Sequence, residues 1–146
     1  MVMDYYQGVV TEYLVKNKSV FINPEYELAL NPNQKIHPKG TSWVIDILAV
    51  DFVQEAVFLC EVTYSRTQHA LVHKMADWAD RWSEISTAVR HQTHVPEYWR
   101  ILPRVFVPKE FRDTFAAKVH QAWPELEIIA LEDVAPWVKS SSLGNA

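Results

Sequence analysis

Residues 43–64 read WVIDILAVDFVQEAVFLCEVTY, two apolar runs that are separated by the short segment 52–55. Both runs are rich in β-branched and aromatic residues, which favour β-strands. If the turn between them centres on residues 53 and 54, antiparallel pairing places Asp46 directly opposite Glu61. Directly opposed residues share one face of a sheet, with Cβ atoms roughly 5 Å apart. The sequence therefore predicts a buried β-hairpin with two carboxylates facing each other.

Two like charges on an apolar sheet face are unfavourable, because desolvation and repulsion both act against the doubly ionised pair. We expect a proton, a neighbouring base or a divalent cation to compensate. Thr63 lies two residues beyond Glu61 and therefore projects from the same face in a strand. A register shift of one residue would instead send Asp46 and Glu61 to opposite faces.

The rest of the chain alternates between helical and strand-like patterns, which predicts an α/β fold. Leu71, Met75 and Trp78 begin a helical stripe that predicts one long helix. Pro24 makes an edge position or a break more probable than a central strand. The predicted elements are helix 4–16, strand pieces 19–23 and 26–30, loop 31–40, strands 43–51 and 56–64, helix 67–90, strand 99–107, helix 108–121, strand 126–131 and a terminal turn or helix at 134–139.

This pattern resembles the PD-(D/E)xK nuclease superfamily, also called the restriction-endonuclease-like fold. In that superfamily an acidic residue on one strand and an acid-x-lysine on the next build the active site. Asp46 matches the first acid and Glu61 the second, whereas Thr63 stands where lysine is usual. The predicted order contains the superfamily core, αβββαβ, with one further helix and strand. The resemblance implies a central mixed sheet flanked by helices.

The resemblance also implies a metal-dependent nuclease that hydrolyses phosphodiester bonds of nucleic acid, with DNA favoured over RNA. Its ion would be Mg²⁺ or Mn²⁺, held by Asp46, Glu61 and the backbone carbonyl of Val62. Family members often carry a glutamate on the helix before the sheet, and Glu12 is at the corresponding place, as a ligand either directly or through water. Hard oxygen ligands and retained waters suit such an ion.

The absent motif lysine leaves open which group supplies positive charge. The Thr63 hydroxyl is only a neutral hydrogen-bond partner. Lys74 lies beside the apolar stripe of the predicted long helix, from which its ammonium group can turn toward the sheet. Arg66, just after the second strand, is the other candidate, and Gln68 is a polar residue that can reach the site from beyond Thr63.

Size and charge restrict the class of protein. A chain of 146 residues with 49% apolar and 22% charged residues predicts one globular domain over 1–139, followed by a flexible tail at 140–146. A net charge of −4 argues against a protein that grips long duplex DNA by itself. The chain shows neither a run of about 18 apolar residues nor a signal-peptide pattern, so we expect no membrane partner and a cytoplasmic location. A homodimer and a protein partner both stay open.

Several alternatives compete with the nuclease interpretation. Asp46 and Glu61 could be structural, and the protein a catalytically inactive scaffold or an interaction subunit of a larger complex. His69 and His73 have i, i+4 spacing that suits zinc, although spacing marks no third ligand. The three glycines are too scattered to form a phosphate-binding loop, which excludes nucleotide-binding folds of the Rossmann and P-loop kinds.

Overall fold

A computed structural model describes residues 5–16, 19–30 and 43–134. Five strands form one mixed sheet in the order β1-β2-β3-β4-β5, with helices on both faces, which confirms the predicted α/β class. The predicted loop at 31–40, the predicted terminal element beyond residue 134 and the predicted tail at 140–146 lie outside the described residues. The elements are α1 (Tyr5–Val15), β1 (Val20–Glu27), β2 (Val44–Asp51), β3 (Ala56–Val62), α2 (His69–Asp80), α3 (Trp82–Thr93), β4 (Arg100–Val107), α4 (Lys109–Val119), β5 (Glu127–Ala130) and α5 (Leu131–Val134).

The central hairpin has the register expected from its sequence. Strands β2 and β3 pair from Ile47 opposite Cys60 to Asp51 opposite Ala56. This pairing centres the turn between residues 53 and 54, as predicted. It makes Asp46 and Glu61 the next pair in line, one step beyond the last pair of the ladder.

The Asp51 carboxylate holds the hairpin turn. Its Oδ1 accepts the N–H groups of Val53 at 3.0 Å and Gln54 at 2.9 Å, and its Oδ2 accepts the Gln54 side-chain amide at 2.8 Å. Short polar side chains that bond their own following backbone in this way favour turns over continued strand. Glu55 then closes the turn with a φ of 53°.

The sheet separates two apolar cores, because alternate side chains of a strand point to opposite faces. Leu59 of β3 packs with Trp78 in the core beneath α2, α3 and α4. Its neighbour Cys60 packs with Val10 in the core beneath α1 and α5. Strands β3, β4 and β5 run parallel, since helices connect them, and their carboxyl ends therefore meet at one edge of the sheet.

The prediction of a single helix over 67–90 is wrong. Arg81 has φ −119° and ψ 22°, which are not helical values, and it separates α2 from α3. Trp78 and Trp82 on either side of it both pack against the same core, with ring centroids 6.1 Å apart. One straight helix would diverge from a twisted sheet, whereas two shorter helices each keep their apolar side on the core.

The prediction of an edge position or a break at Pro24 is confirmed by the edge position. Strand β1 runs through Pro24, which pairs with Ile47, and lies at one end of the strand order. Proline lacks an N–H to donate and is tolerated on an edge strand for that reason. A single antiparallel strand therefore replaces the two predicted pieces.

Candidate functional site

Asp46 lies at a point where β2 exchanges the faces of its side chains. Ile45 belongs to the core beneath α2, whereas Ile47 belongs to the core beneath α1, although strict alternation would place them on one face. On the neighbouring strand Glu25 has a φ of 54°, and Tyr26 beyond it packs with Ile45 against the same core. The β2–β3 ladder ends at this irregularity, so backbone groups beyond it need other partners.

The two predicted carboxylates supply those partners. The N–H of Asp46 donates to Glu61 Oε2 at 2.8 Å, and the N–H of Val62 donates to Asp46 Oδ2 at 2.9 Å. Glu61 is only 3% exposed, while Asp46 is half-buried. The side chains thus continue the strand pairing by bonding to the backbone, and the predicted proximity of the two acids holds.

Lys74 completes a three-residue group at this point. Its Nζ lies 2.6 Å from Glu61 Oε1 and donates to the carbonyl of Val44 at 2.5 Å. It also lies 5.9 Å from the ring centroid of Trp78. The apolar stripe of α2 is buried against the sheet, which brings the flank that carries Lys74 over the ends of β2 and β3. Lys74 is the neighbouring basic residue that the opposed acids were expected to need, and its ammonium group supplies the positive charge.

Burial dominates the electrostatics of Glu61. Desolvation and the charge of Asp46 raise the pKa of Glu61 to about 8, although Lys74 and the N–H of Asp46 act in the opposite direction. Lys74 thus supplies a compensating positive charge, and the raised pKa of Glu61 favours its protonated form. The group changes charge near neutral pH, which is typical of functional sites but also occurs in structural networks.

The other predicted residues have different positions. Thr63 lies just beyond β3, where its N–H donates to the carbonyl of Phe106 at 3.0 Å and its Oγ1 accepts the N–H of Ser65 at 3.2 Å. Arg66 is exposed. Glu12 is exposed on α1, whose buried residues pack on the opposite face from α2, so the structure does not group it with Glu61 and Lys74.

Gln68 is a buried polar residue that the sequence indicated only weakly as part of the site. It is 5% exposed and precedes α2 in a left-handed conformation, with φ 56° and ψ 13°. Within the described part of the chain, its Nε2 is buried without a hydrogen-bond partner. Buried amide groups nearly always have partners, so this donor marks the start of α2 as unusual. In the sequence, the position of Gln68 near the start of the predicted long helix, beyond Thr63, made it a site candidate.

The donor chemistry of the carboxylate pair fits a hard divalent cation. Each carboxylate oxygen has about two lone-pair sites, so an oxygen that accepts an N–H can also bind an ion. Magnesium commonly uses one or two carboxylates and keeps several waters. Among residues 5–16, 19–30 and 43–134, no group of three or more His, Cys, Asp or Glu residues is arranged to hold a metal ion. Further ligands would therefore be waters, substrate or backbone carbonyls.

Comparison with known proteins assigns no family to this chain, since no protein-family model, curated protein or solved structure matches it. The PD-(D/E)xK resemblance thus stays a prediction from motif and element order. In the described ranges no helix has the length and apolar character that a membrane span requires.

Proposed function

We propose that this protein is a metal-dependent phosphodiesterase that acts on nucleic acid. The observation that carries the proposal is the 2.6 Å contact between Lys74 Nζ and Glu61 Oε1, next to Asp46. Lys74 on α2 supplies the positive charge that the usual motif lysine would carry and that Thr63 lacks. The same proposal favours DNA over RNA as the substrate and includes a cytoplasmic location. It also includes a partner, which is either a second copy of this chain or another protein.

Asp46 and Glu61 would hold Mg²⁺ or Mn²⁺, with the carbonyl of Val62 as the third protein ligand. When bound, such an ion lowers the pKa of a coordinated water and offsets charge on a phosphate. Lys74 holds an ammonium group beside Glu61, where it can orient a water or stabilise charge that develops on the phosphate. Arg66 is exposed close by in sequence and is the candidate for an additional phosphate contact. Glu12 has no role in this version of the site.

Metal binding is the first test. Calorimetric titration with Mn²⁺ and Mg²⁺ should detect binding to the wild-type protein and none to the Asp46→Ala/Glu61→Ala variant. Asp51→Asn is a matched control, because Asp51 is a buried acid at the other end of β2 and neutralising it should leave metal binding intact. A wild-type protein that binds neither ion would refute the proposal.

Cleavage is the second test. Single-stranded DNA, double-stranded DNA and RNA, each labelled, are the substrates to compare, and whichever of them is cut should be cut only when the metal is present. Lys74→Met should abolish cleavage, Lys74→Arg should retain part of it, and Lys118→Met on α4 should have no effect. Equal rates for Lys74→Met and the wild type would remove Lys74 from the chemistry.

A second candidate is a non-catalytic scaffold or interaction subunit with the same fold. It is favoured by the partners that the acids already have: Glu61 accepts at both oxygens, at 2.8 Å and 2.6 Å, and Asp46 Oδ2 accepts at 2.9 Å. Such a network can serve only to join β2, β3 and α2. Absence of both metal binding and cleavage, together with a large loss of stability in Lys74→Met, would favour this candidate.

A further inference from the structure

Three tyrosines form a cluster near the end of β3, and two of them are stacked. The rings of Tyr6 on α1 and Tyr64 are nearly parallel, at 8°, with centroids 4.1 Å apart. Tyr5 meets Tyr6 edge-on, with centroids 5.1 Å apart. Tyr64 is 55% exposed and Tyr5 is 61% exposed. This tyrosine platform, made of Tyr5, Tyr6 and Tyr64, therefore presents aromatic surface to solvent while Tyr6 anchors it to the fold.

The platform lies next to the carboxylate site. Tyr64 follows Glu61 by three residues, which span at most roughly 10 Å of chain. Tyr6 packs against the core beneath α1, whereas Lys74 lies on α2. The platform and the charged group thus flank the carboxyl end of β3 from opposite sides.

We infer that this site takes single-stranded nucleic acid, with an unpaired base stacked on Tyr64 and the neighbouring phosphate at Asp46, Glu61 and Lys74. This inference rests on the proposed function and names its substrate class. Stacking on aromatic side chains is the common way to hold single strands, since every base has a π-face. Bases in a duplex are covered by their neighbours, so a protein ring can stack only on a base that is unpaired or at an end.

The net charge of −4 limits what phosphate contacts can contribute to binding. Lys and Arg contacts to phosphates supply affinity for duplex and single strands alike, but only an unpaired base adds a stacking contribution. Stacking does not depend on net charge. A platform of tyrosines therefore lets an acidic protein bind a strand that its overall charge would not attract.

The test separates binding from cleavage. We would measure the binding of a labelled oligodeoxythymidylate by fluorescence anisotropy in the Asp46→Ala/Glu61→Ala background, where cleavage and carboxylate repulsion are both removed. Tyr64→Ala should weaken binding about tenfold or more, as expected for one lost base stack, whereas Tyr64→Trp should preserve it. Tyr98→Ala is the matched control, because Tyr98 is 73% exposed but precedes β4, at the opposite end of the sheet. The same strand in a duplex should bind at least about tenfold more weakly.

Each outcome of this test either supports or overturns the inference. Absence of single-strand binding, equal affinity for duplex, or equal losses from Tyr64→Ala and Tyr98→Ala would each overturn the inference. Tyr64→Leu keeps an apolar contact with Tyr6 but has no π-face, so weak binding by a folded Tyr64→Leu protein assigns the loss to stacking. Tyr64-dependent binding by a wild-type protein that neither binds metal nor cleaves would uphold the platform and refute the proposed catalysis.

Discussion

Lys74 and Glu61 form a buried ion pair that connects α2 to β3, with 2.6 Å between Nζ and Oε1 and side chains that are 11% and 4% exposed. In a pair that is buried to this degree both charged groups lose their hydration, so removing one partner leaves the other as a buried charge without compensation. The pair therefore affects stability whether or not the site is catalytic.

Lys74→Met should destabilise the protein by about 3 kcal/mol above pH 8, because Glu61 would remain buried without its partner. Below about pH 5 the cost should be smaller, since Glu61 is then protonated. Urea denaturation at both pH values measures the difference. The double variant Lys74→Met/Glu61→Gln should recover most of the loss, and failure to do so would show that Lys74 acts mainly through Val44 and Trp78.

Glu61 should make the protein less stable as pH rises. Burial raises the pKa of Glu61 from 4.5 to about 8, so between these values the folded state binds a proton that the unfolded state has released. Linkage then requires the contribution of Glu61 to the free energy of unfolding to be fully present below about pH 4.5 and to be lost as the pH rises to about 8. Glu61→Gln should flatten this slope when unfolding is followed from pH 5 to pH 8. As a control, Glu84→Gln should leave the slope unchanged, because Arg81 lowers the pKa of Glu84 and its effect lies below this window.

Asp46→Asn should reduce the same slope without removing it. The negative charge of Asp46 helps to raise the pKa of Glu61, while an Asn side-chain oxygen can still accept the N–H of Val62. The folded-state pKa of Glu61 should fall, so that less stability is lost by pH 8. NMR titration of Glu61 together with denaturation at pH 5 and pH 8 tests this. An equal loss of stability at both pH values would indicate that Asp46 contributes through hydrogen bonding alone.

Asp51→Ala should destabilise the hairpin by about 3 kcal/mol, because three hydrogen bonds to residues 53 and 54 are lost and net values are about 1 kcal/mol each. Asp51→Asn should cost less, since it keeps an acceptor for the two backbone N–H groups. Chemical denaturation of both variants gives the comparison. Gln54→Ala removes only the side-chain bond and should be the mildest of the three.

The fold was largely accessible from local patterns. Two apolar runs rich in β-branched and aromatic residues, with a turn centred between residues 53 and 54, predicted the β2–β3 register, and the helical stripe from Leu71 predicted a helix after the hairpin. The single helix predicted over 67–90 and the two strand pieces predicted around Pro24 differ from the structure, in which Arg81 divides the helix and one strand replaces the two pieces. Sequence shows what a residue disfavours locally, but not whether it lies on an edge strand or over a twisted sheet.

The candidate site was predictable only in part. Facing strands determined that Asp46 and Glu61 are neighbours, since register follows from the hairpin alone. The partnership of Lys74 with Glu61 was one of two open options, and the exposed positions of Glu12 and Arg66 were not visible in the sequence. These depend on how each helix packs against the sheet.

The sequence by itself determined the order of the elements, the central hairpin and the pairing of two acids, because these follow from short-range periodicity and from one turn. Only the tertiary structure decided that Lys74 compensates Glu61, that side chains exchange faces at Asp46, and that Tyr6 stacks on Tyr64. Those relationships join residues on different elements. They are set by packing of helices on the two faces of the sheet, which no local pattern encodes.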